Sequence, residues 1–274
     1  VALQRKGTGD RGPGTGEERV RIGVIRLPRI SNYTDFDTLE REFDVELSYV
    51  ELAEQLEGLD LVIIPGSKST LADLAFLRRG GFFPALRSFG GTVLGICGGF
   101  QMLGRRVSDP EGVEGSEERE AEGVGLLDVV TLMRPDKETH QVEAVLLSAA
   151  YQLAPKGPWQ VKGYEIHMGE TILGGRVKPF SRIVRRSGEE VEVLDGAVSH
   201  DGRIGGTYLH GIFDDDTFRT AFLNRLRRGK GMPEQEEASG RPDPFELLAD
   251  HLEKHLDMKR LFALCGLPDK PSNS

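Results

Sequence analysis

Residues 95–101 read GICGGFQ, a cysteine set between glycines directly after the apolar run TVLGI and four positions before a glutamine. A thiolate nucleophile calls for such a setting. At a sharp strand-to-helix turn the side chain is pushed into the open, and flanking glycines relieve the crowding a Cβ would cause. The helix that follows would aim free backbone N–H groups and its positive end at the sulfur of Cys97, favouring the thiolate. The amide of Gly98 would face a developing oxyanion. The same residues also suit a small buried cysteine in a glycine-rich βα turn, because cysteine is common in cores. This stretch alone leaves both readings open.

Other parts of the chain supply the groups such a thiolate needs. His210 ends the apolar run GGTYLH just before Gly211 and can act as its proton shuttle. Ligands of open α/β sheets bind at the carboxyl ends of strands, so Cys97 and His210 are expected to meet at one rim. Gly66 in IIPGSKS follows another strand end, and its amide is a second oxyanion donor. Gln101 lies one helical turn after Cys97 on the same face and offers a donor and an acceptor to a small polar substrate. His251 and His255 stand four apart, a zinc-compatible spacing. However, the glutamate of HLEKH is not in the H-E-x-x-H position and no third ligand suggests itself, so a solvated helix face is expected. His140, His200 and Cys265 receive no role.

The elements that must position these groups follow from patterning. Residues 1–19 are rich in glycine and charge and read as a mobile linker. Their G-x-G-x-x-G at Gly7, Gly9 and Gly12 has neither the preceding strand nor the following helix that dinucleotide binding requires. From residue 20 to 266 one main domain is expected, with a disordered tail at 267–274. Short β-branched runs at 45–50, 59–65 and 92–96 alternate with helical spacing at 69–79 and 98–106, the first helix capped by Ser67 or Ser69. The alternation predicts βαβ units, hence an α/β fold with a mostly parallel open sheet flanked by helices. Residues 107–123 read as an acidic surface loop. Strands are expected near 126–133, 142–147 and 160–166, a hairpin turn at Asp201-Gly202, a helix over 214–228, and a final helix or helix pair.

Composition narrows the classes of function. The net charge is -9, which argues against nucleic acid because phosphate binding needs a positive patch. No apolar run approaches the ~20 residues that span a bilayer. Two distant cysteines and the lack of a secretory signal point to a reducing cytoplasm. The first residue is Val rather than Met, which suggests processing or a fragment.

Taken together, PGSKST, LGICGGFQMLG, GYEIHMGET and GGTYLHGIF resemble, in this order, the class I glutamine amidotransferase domain in the branch found in cobyric acid synthases. The resemblance runs over roughly residues 20–264 and implies the flavodoxin-like architecture of that family. It also implies that Cys97 attacks the side-chain amide of glutamine, with His210 as general base and acid. Gly66 and Gly98 would supply the oxyanion amides, and Gln101 would help to hold glutamine. In that branch the ammonia passes to a synthetase domain that uses ATP and Mg to amidate carboxylates of the corrin ring. The amidotransferase domain itself carries no cofactor. No G-x-x-x-x-G-K-[ST] loop occurs here, so the synthetase would be the missing partner.

Many class I members carry a glutamate two residues after the histidine, where this chain has Ile212. Glu165, in a separate strand, is the candidate to orient the imidazole, and it suits a structural role equally well. His167 shares its strand face and could line the site. Two alternatives remain: a glutaminase subunit that serves amidation of a cell-wall lipid precursor, and a catalytically silent binding module.

Overall fold

The computed structural model describes residues 18–155, 160–236 and 244–266. The residues expected to form the linker and tail, including the glycine motif at 7–12, lie outside this range. Two units result, one reaching Glu236 and the other beginning at Glu237. The single domain expected over 20–266 is therefore divided. The second unit contains two helices, Pro244–His255 and Met258–Leu264. His251 and His255 are exposed and stack on each other there, as a solvated face requires. Among the described residues, no helix is long and apolar enough to cross a membrane.

The first unit is built on a seven-stranded sheet. Its strands are β1 (Val20–Ile25), β2 (Val45–Val50), β3 (Leu61–Ile64), β4 (Thr92–Ile96), β9 (Val177–Lys178), β12 (Ala197–Ser199) and β13 (Ile204–Thr207). They are ordered β2-β1-β3-β4-β13-β12-β9. The first five run parallel, and β12 and β9 are antiparallel additions at one edge. Parallel strands covered on both faces must be apolar throughout. Accordingly β3, β4 and β13 are buried at every position. The Asp201-Gly202 turn joins β12 to β13 with Gly202 at φ 65°, as its sequence predicts.

A second sheet was not foreseen from the sequence. It joins β5 (Arg106–Ser108), β6 (Glu120–Glu122), β7 (Val129–Leu146), β8 (Gln160–Leu173), β10 (Ser181–Arg186) and β11 (Glu189–Asp195). The two strands expected at 126–133 and 142–147 are one strand, β7, because a bulge between Leu132 and Lys137 lets it continue through the charged stretch RPDKETH. The loop at 107–123 contains the β5–β6 pair and is not a free excursion.

The helices of this unit are α1 (Asp37–Glu40), α2 (Thr70–Arg79), α3 (Phe82–Ser88), α4 (Gly98–Leu103) and α5 (Asp216–Gly229). In α5, Asp215 caps the first turn through Phe218 N at 2.8 Å, and Phe218, Phe222 and Leu226 enter the core. Each such side chain stabilises the fold by ~2 kcal/mol. Ser69 holds the N-cap position of α2, but no serine side chain caps the helix. Glu114 does so from the supposed surface loop, accepting from Thr70 N at 2.8 Å and Leu71 N at 3.0 Å.

Candidate active site

In a parallel sheet ordered 2-1-3-4, the crevice opens where the strand order reverses, between β1 and β3 at their carboxyl ends. The connections that leave β1, β3, β4 and β13 at this rim carry Asp35, Gly66, Cys97 and His210 respectively. Pairing Ile64 with Gly95, and Ile96 with Thr207, brings the last three of these ends level.

Cys97 sits at the junction of β4 and α4 with φ 52° and ψ -112°, a region that non-glycine residues rarely occupy. Its amide donates to Thr207 O at 2.8 Å, and its carbonyl accepts from Gln101 N at 3.2 Å. The chain is thus held by β13 on one side of the residue and by α4 on the other. The tight turn leaves no room beside it: a Cβ on Gly99 would lie 1.9 Å from the Ile64 carbonyl oxygen. The thiol is buried and contacts Ile166 O of β8 at 3.4 Å.

His210 is fully buried. Its Nδ1 lies 2.7 Å from Asp35 Oδ2, and the other Asp35 oxygen accepts from Gly211 N at 3.0 Å. Tyr164 stacks on the ring with centroids 5.1 Å apart and exchanges backbone hydrogen bonds with His210. Asn32 Nδ2 donates to the Tyr164 hydroxyl at 2.9 Å, so the loop after β1 braces the imidazole from two sides. Burial by itself would lower the imidazole pKa. The hydrogen bonds and charges of Asp35 and Cys97 outweigh it, and the pKa is pushed up to about 9. Nε2 is buried on the side of the ring left to Cys97, since Asp35 takes Nδ1.

The expectation for Glu165 is corrected. Its carboxylate pairs with Arg186, Nε to Oε1 at 2.6 Å, and approaches His167 Nε2 at 3.5 Å. The group on His210 is Asp35, 175 positions away in sequence. Asp35 lies in the SNYTDFD segment of the connection after β1. The signal that could have found Asp35 was its place directly after β1, on the rim that Cys97 and His210 also occupy.

Gly66 packs against the pair, since a Cβ there would lie 3.2 Å from His210 Cε1 and 3.8 Å from Cys97 Cβ. Among the described residues, neither the Gly66 nor the Gly98 amide has a hydrogen-bond acceptor. Gln101 departs from expectation. It lines the cavity, but its Oε1 accepts from Thr70 Oγ1 at 2.9 Å, and its Nε2 donates to Met168 O at 3.0 Å and to the Tyr208 hydroxyl at 3.1 Å. Its amide ties α2, β8 and the residue just after β13 together and leaves little for a substrate. His167 lines the same cavity and stacks on Tyr208, with centroids 3.8 Å apart.

Glu138, His140 and Glu165 form the one group among the described residues with metal-compatible spacing. Arg186 pairs with both carboxylates, at 3.6 Å from Glu138, and supplies the cation there itself.

Residues 21–218 match the CobB/CobQ-like glutamine amidotransferase domain. The chain belongs to this family. The amidotransferase chain is 47% identical over 260 residues to the cobyric acid synthase of Syntrophobacter fumaroxidans, covering 92% of this chain and 50% of that protein. Against the cobyric acid synthase of Moorella thermoacetica it is 43% identical over 270 residues, covering 93% and 50%. It spans about half the length of these curated relatives. Among solved structures, PurLQS from Thermotoga maritima superposes with a TM-score of 0.56 at 21% identity, over 76% of this chain and 99% of that one. That likeness is one of fold.

Proposed function

We propose that this amidotransferase chain hydrolyses glutamine through a thioester on Cys97 and feeds the ammonia to an ATP-dependent synthetase half that amidates corrin-ring carboxylates. The observation that carries the reading is the buried relay of Asp35 and His210 beside a cysteine held at positive φ. The Cys97 thiolate attacks the glutamine carboxamide carbon, and the amides of Gly66 and Gly98 receive the oxyanion. Collapse breaks the C–N bond, His210 Nε2 hands its proton to the leaving nitrogen, and ammonia departs. Nε2 then takes a proton from water, whose oxygen attacks the thioester, releasing glutamate and restoring the thiol. Asp35 keeps Nδ1 protonated and stabilises the imidazolium throughout. Relatives that are cobyric acid synthases, twice as long as this chain, support the synthetase partner and the corrinoid acceptor.

The test is glutamate release from glutamine by the chain and by Cys97→Ser, each alone and with the synthetase half supplied. Release that requires Cys97 is expected. Its absence under both conditions would favour a silent binding module.

A further inference from the structure

The second sheet sends one buried carboxyl toward the strand that leads to His210, and thioester chemistry has no use for it. Asp195, the last residue of β11, is 4% exposed, and among the described residues no cation pairs with it. Ser181 Oγ donates to its Oδ2 at 3.1 Å, Thr207 Oγ1 donates to the same oxygen, and Tyr208 N donates to Oδ1 at 2.8 Å. Burial pushes its pKa up against the pull of these donors. A carboxyl held this way costs stability unless its hydrogen bonds are kept. The chain is shaped to admit it: Gly196, the next residue, has φ 68°, and a Cβ there would lie 2.3 Å from the Gly206 carbonyl oxygen.

These bonds lead to the nucleophile. The peptide group between Thr207 and Tyr208 is held at both ends: its N–H donates to Asp195, and its C=O accepts from the Cys97 amide at 2.8 Å. A trans peptide points these two groups in opposite directions. The carboxyl and the cysteine therefore grip the end of β13 from opposite sides. Thr207 Oγ1 also accepts from Leu209 N at 3.0 Å, which sets the last step before His210. Backbone in a sparsely populated region persists only where its surroundings over-determine it. Cys97, at φ 52°, is such a residue, and the Thr207 carbonyl is its partner on the strand side.

We infer that Asp195 is a positioning residue for both catalytic side chains: through one peptide group it holds Cys97 at its strained φ, and through the Thr207 hydroxyl it fixes the approach to His210. This rests on the glutaminase reading above for the part those two side chains play. Asp195 acts through geometry and touches no substrate. Its loss therefore slows attack by the thiolate on a substrate that is bound as before. The role also gives the second sheet a task at the site, since β11 braces a turn that belongs to the first sheet.

The test is alkylation of Cys97 by a glutamine-analogue electrophile, resolved into a limiting rate and a half-saturating concentration from about pH 6 to 10, beside urea unfolding. Asp195→Asn keeps the shape, and its one oxygen can stay on Tyr208 N, but its amide nitrogen now faces the Ser181 and Thr207 hydroxyls that donated to the carboxyl. A limiting rate lowered roughly tenfold is expected, with the half-saturating concentration unchanged. The midpoint of the pH profile should also stay, since burial, Asp35 and Cys97 set the His210 pKa. Thr207→Val, which loses only the hydroxyl contacts, should fall in the same way, and Thr207→Ser should keep the wild-type rate. The threonine pair decides the matter where Asp195→Asn does not fold. A limiting rate that holds while stability drops, a loss confined to half-saturation, a shifted midpoint, or a Thr207→Ser chain as slow as Thr207→Val would overturn the inference. A wild-type Cys97 that ignores the reagent would overturn it together with the glutaminase reading. A chain that follows the expected pattern but releases no glutamate would sink the hydrolytic reading alone.

Discussion

Asp35→Asn tests the relay with almost no change in shape. The asparagine oxygen can still accept from Gly211 N, now 3.0 Å from Asp35 Oδ1, but the charge beside Nδ1 is gone. In the wild type the His210 pKa is pushed up to about 9, against an ordinary 6.5, with burial opposing and Asp35 and Cys97 raising it. With Asp35 neutralised, burial faces only Cys97, and the pKa should fall by roughly one to two units. At pH 8 the imidazolium share would drop from about nine-tenths to between ~50% and ~10%.

Alkylation of Cys97 by a glutamine-analogue electrophile should slow by up to about tenfold at pH 8, and by much less near pH 6, where the imidazolium survives. A ¹³C-detected titration of His210 reads the pKa itself. The same shift governs stability. A pKa raised on folding stabilises the native state fully below 6.5, and that contribution is lost as pH rises through about 9. For a buried group the loss is at most ~3 kcal/mol, from 1.36 kcal/mol per unit. Urea unfolding at pH 6 and 9.5 should show it in the wild type, and reduced in Asp35→Asn. Glu165→Gln should leave the titration alone. A His210 pKa that stays near 9 in Asp35→Asn, or a wild-type-to-variant rate ratio that is flat with pH, would refute the reasoning.

Two further variants probe the scaffold. Gly99→Ala puts a methyl 1.9 Å from the Ile64 carbonyl oxygen, so α4 must part from β3; a loss of about 3 kcal/mol or more, with slower Cys97 alkylation, is expected from melting and labelling. Asp44→Asn strips a buried bidentate partner, at 2.8 Å on both contacts, from Arg227, which is 1% exposed. Leaving that guanidinium uncompensated should cost about 3 kcal/mol in urea unfolding, with Glu42 at 3.9 Å as its remaining anion.

The parallel part of the fold was legible because its signals are local. Apolar runs that end in glycine or proline marked β3 and β4, and the Asp201-Gly202 turn marked the β12–β13 hairpin. The second sheet was not, because its long strand β7 crosses RPDKETH, where a polar composition looks like loop. Only the partner β8 and the bulge between them keep that stretch extended. Glu114 was hidden for a related reason. The acidic segment around it carries no apolar periodicity, and its order comes from Asp109 and from the free amides of α2, neither of which composition reveals.

The cysteine and histidine could be placed from sequence because each lies within three residues of the end of its own strand, whereas Asp35 depends on a path across the rim. Strand β1 is separated from β13 by β3 and β4, so its connection must run over both strand tips to reach His210. Local bonds lay it down: Ser31 N donates to Gly66 O at 3.0 Å, and Lys68 N to Arg29 O at 2.9 Å. Thr38 Oγ1 then reaches Phe213 O at 3.0 Å, just past the histidine. The segment that delivers the orienting carboxylate is therefore stapled to the segment that carries the Gly66 amide. A substitution that loosened Ser31 or Arg29 would disturb the Asp35 carboxylate and the Gly66 backbone together, so the His210 relay and the oxyanion donor proposed at Gly66 are coupled through one crossing loop.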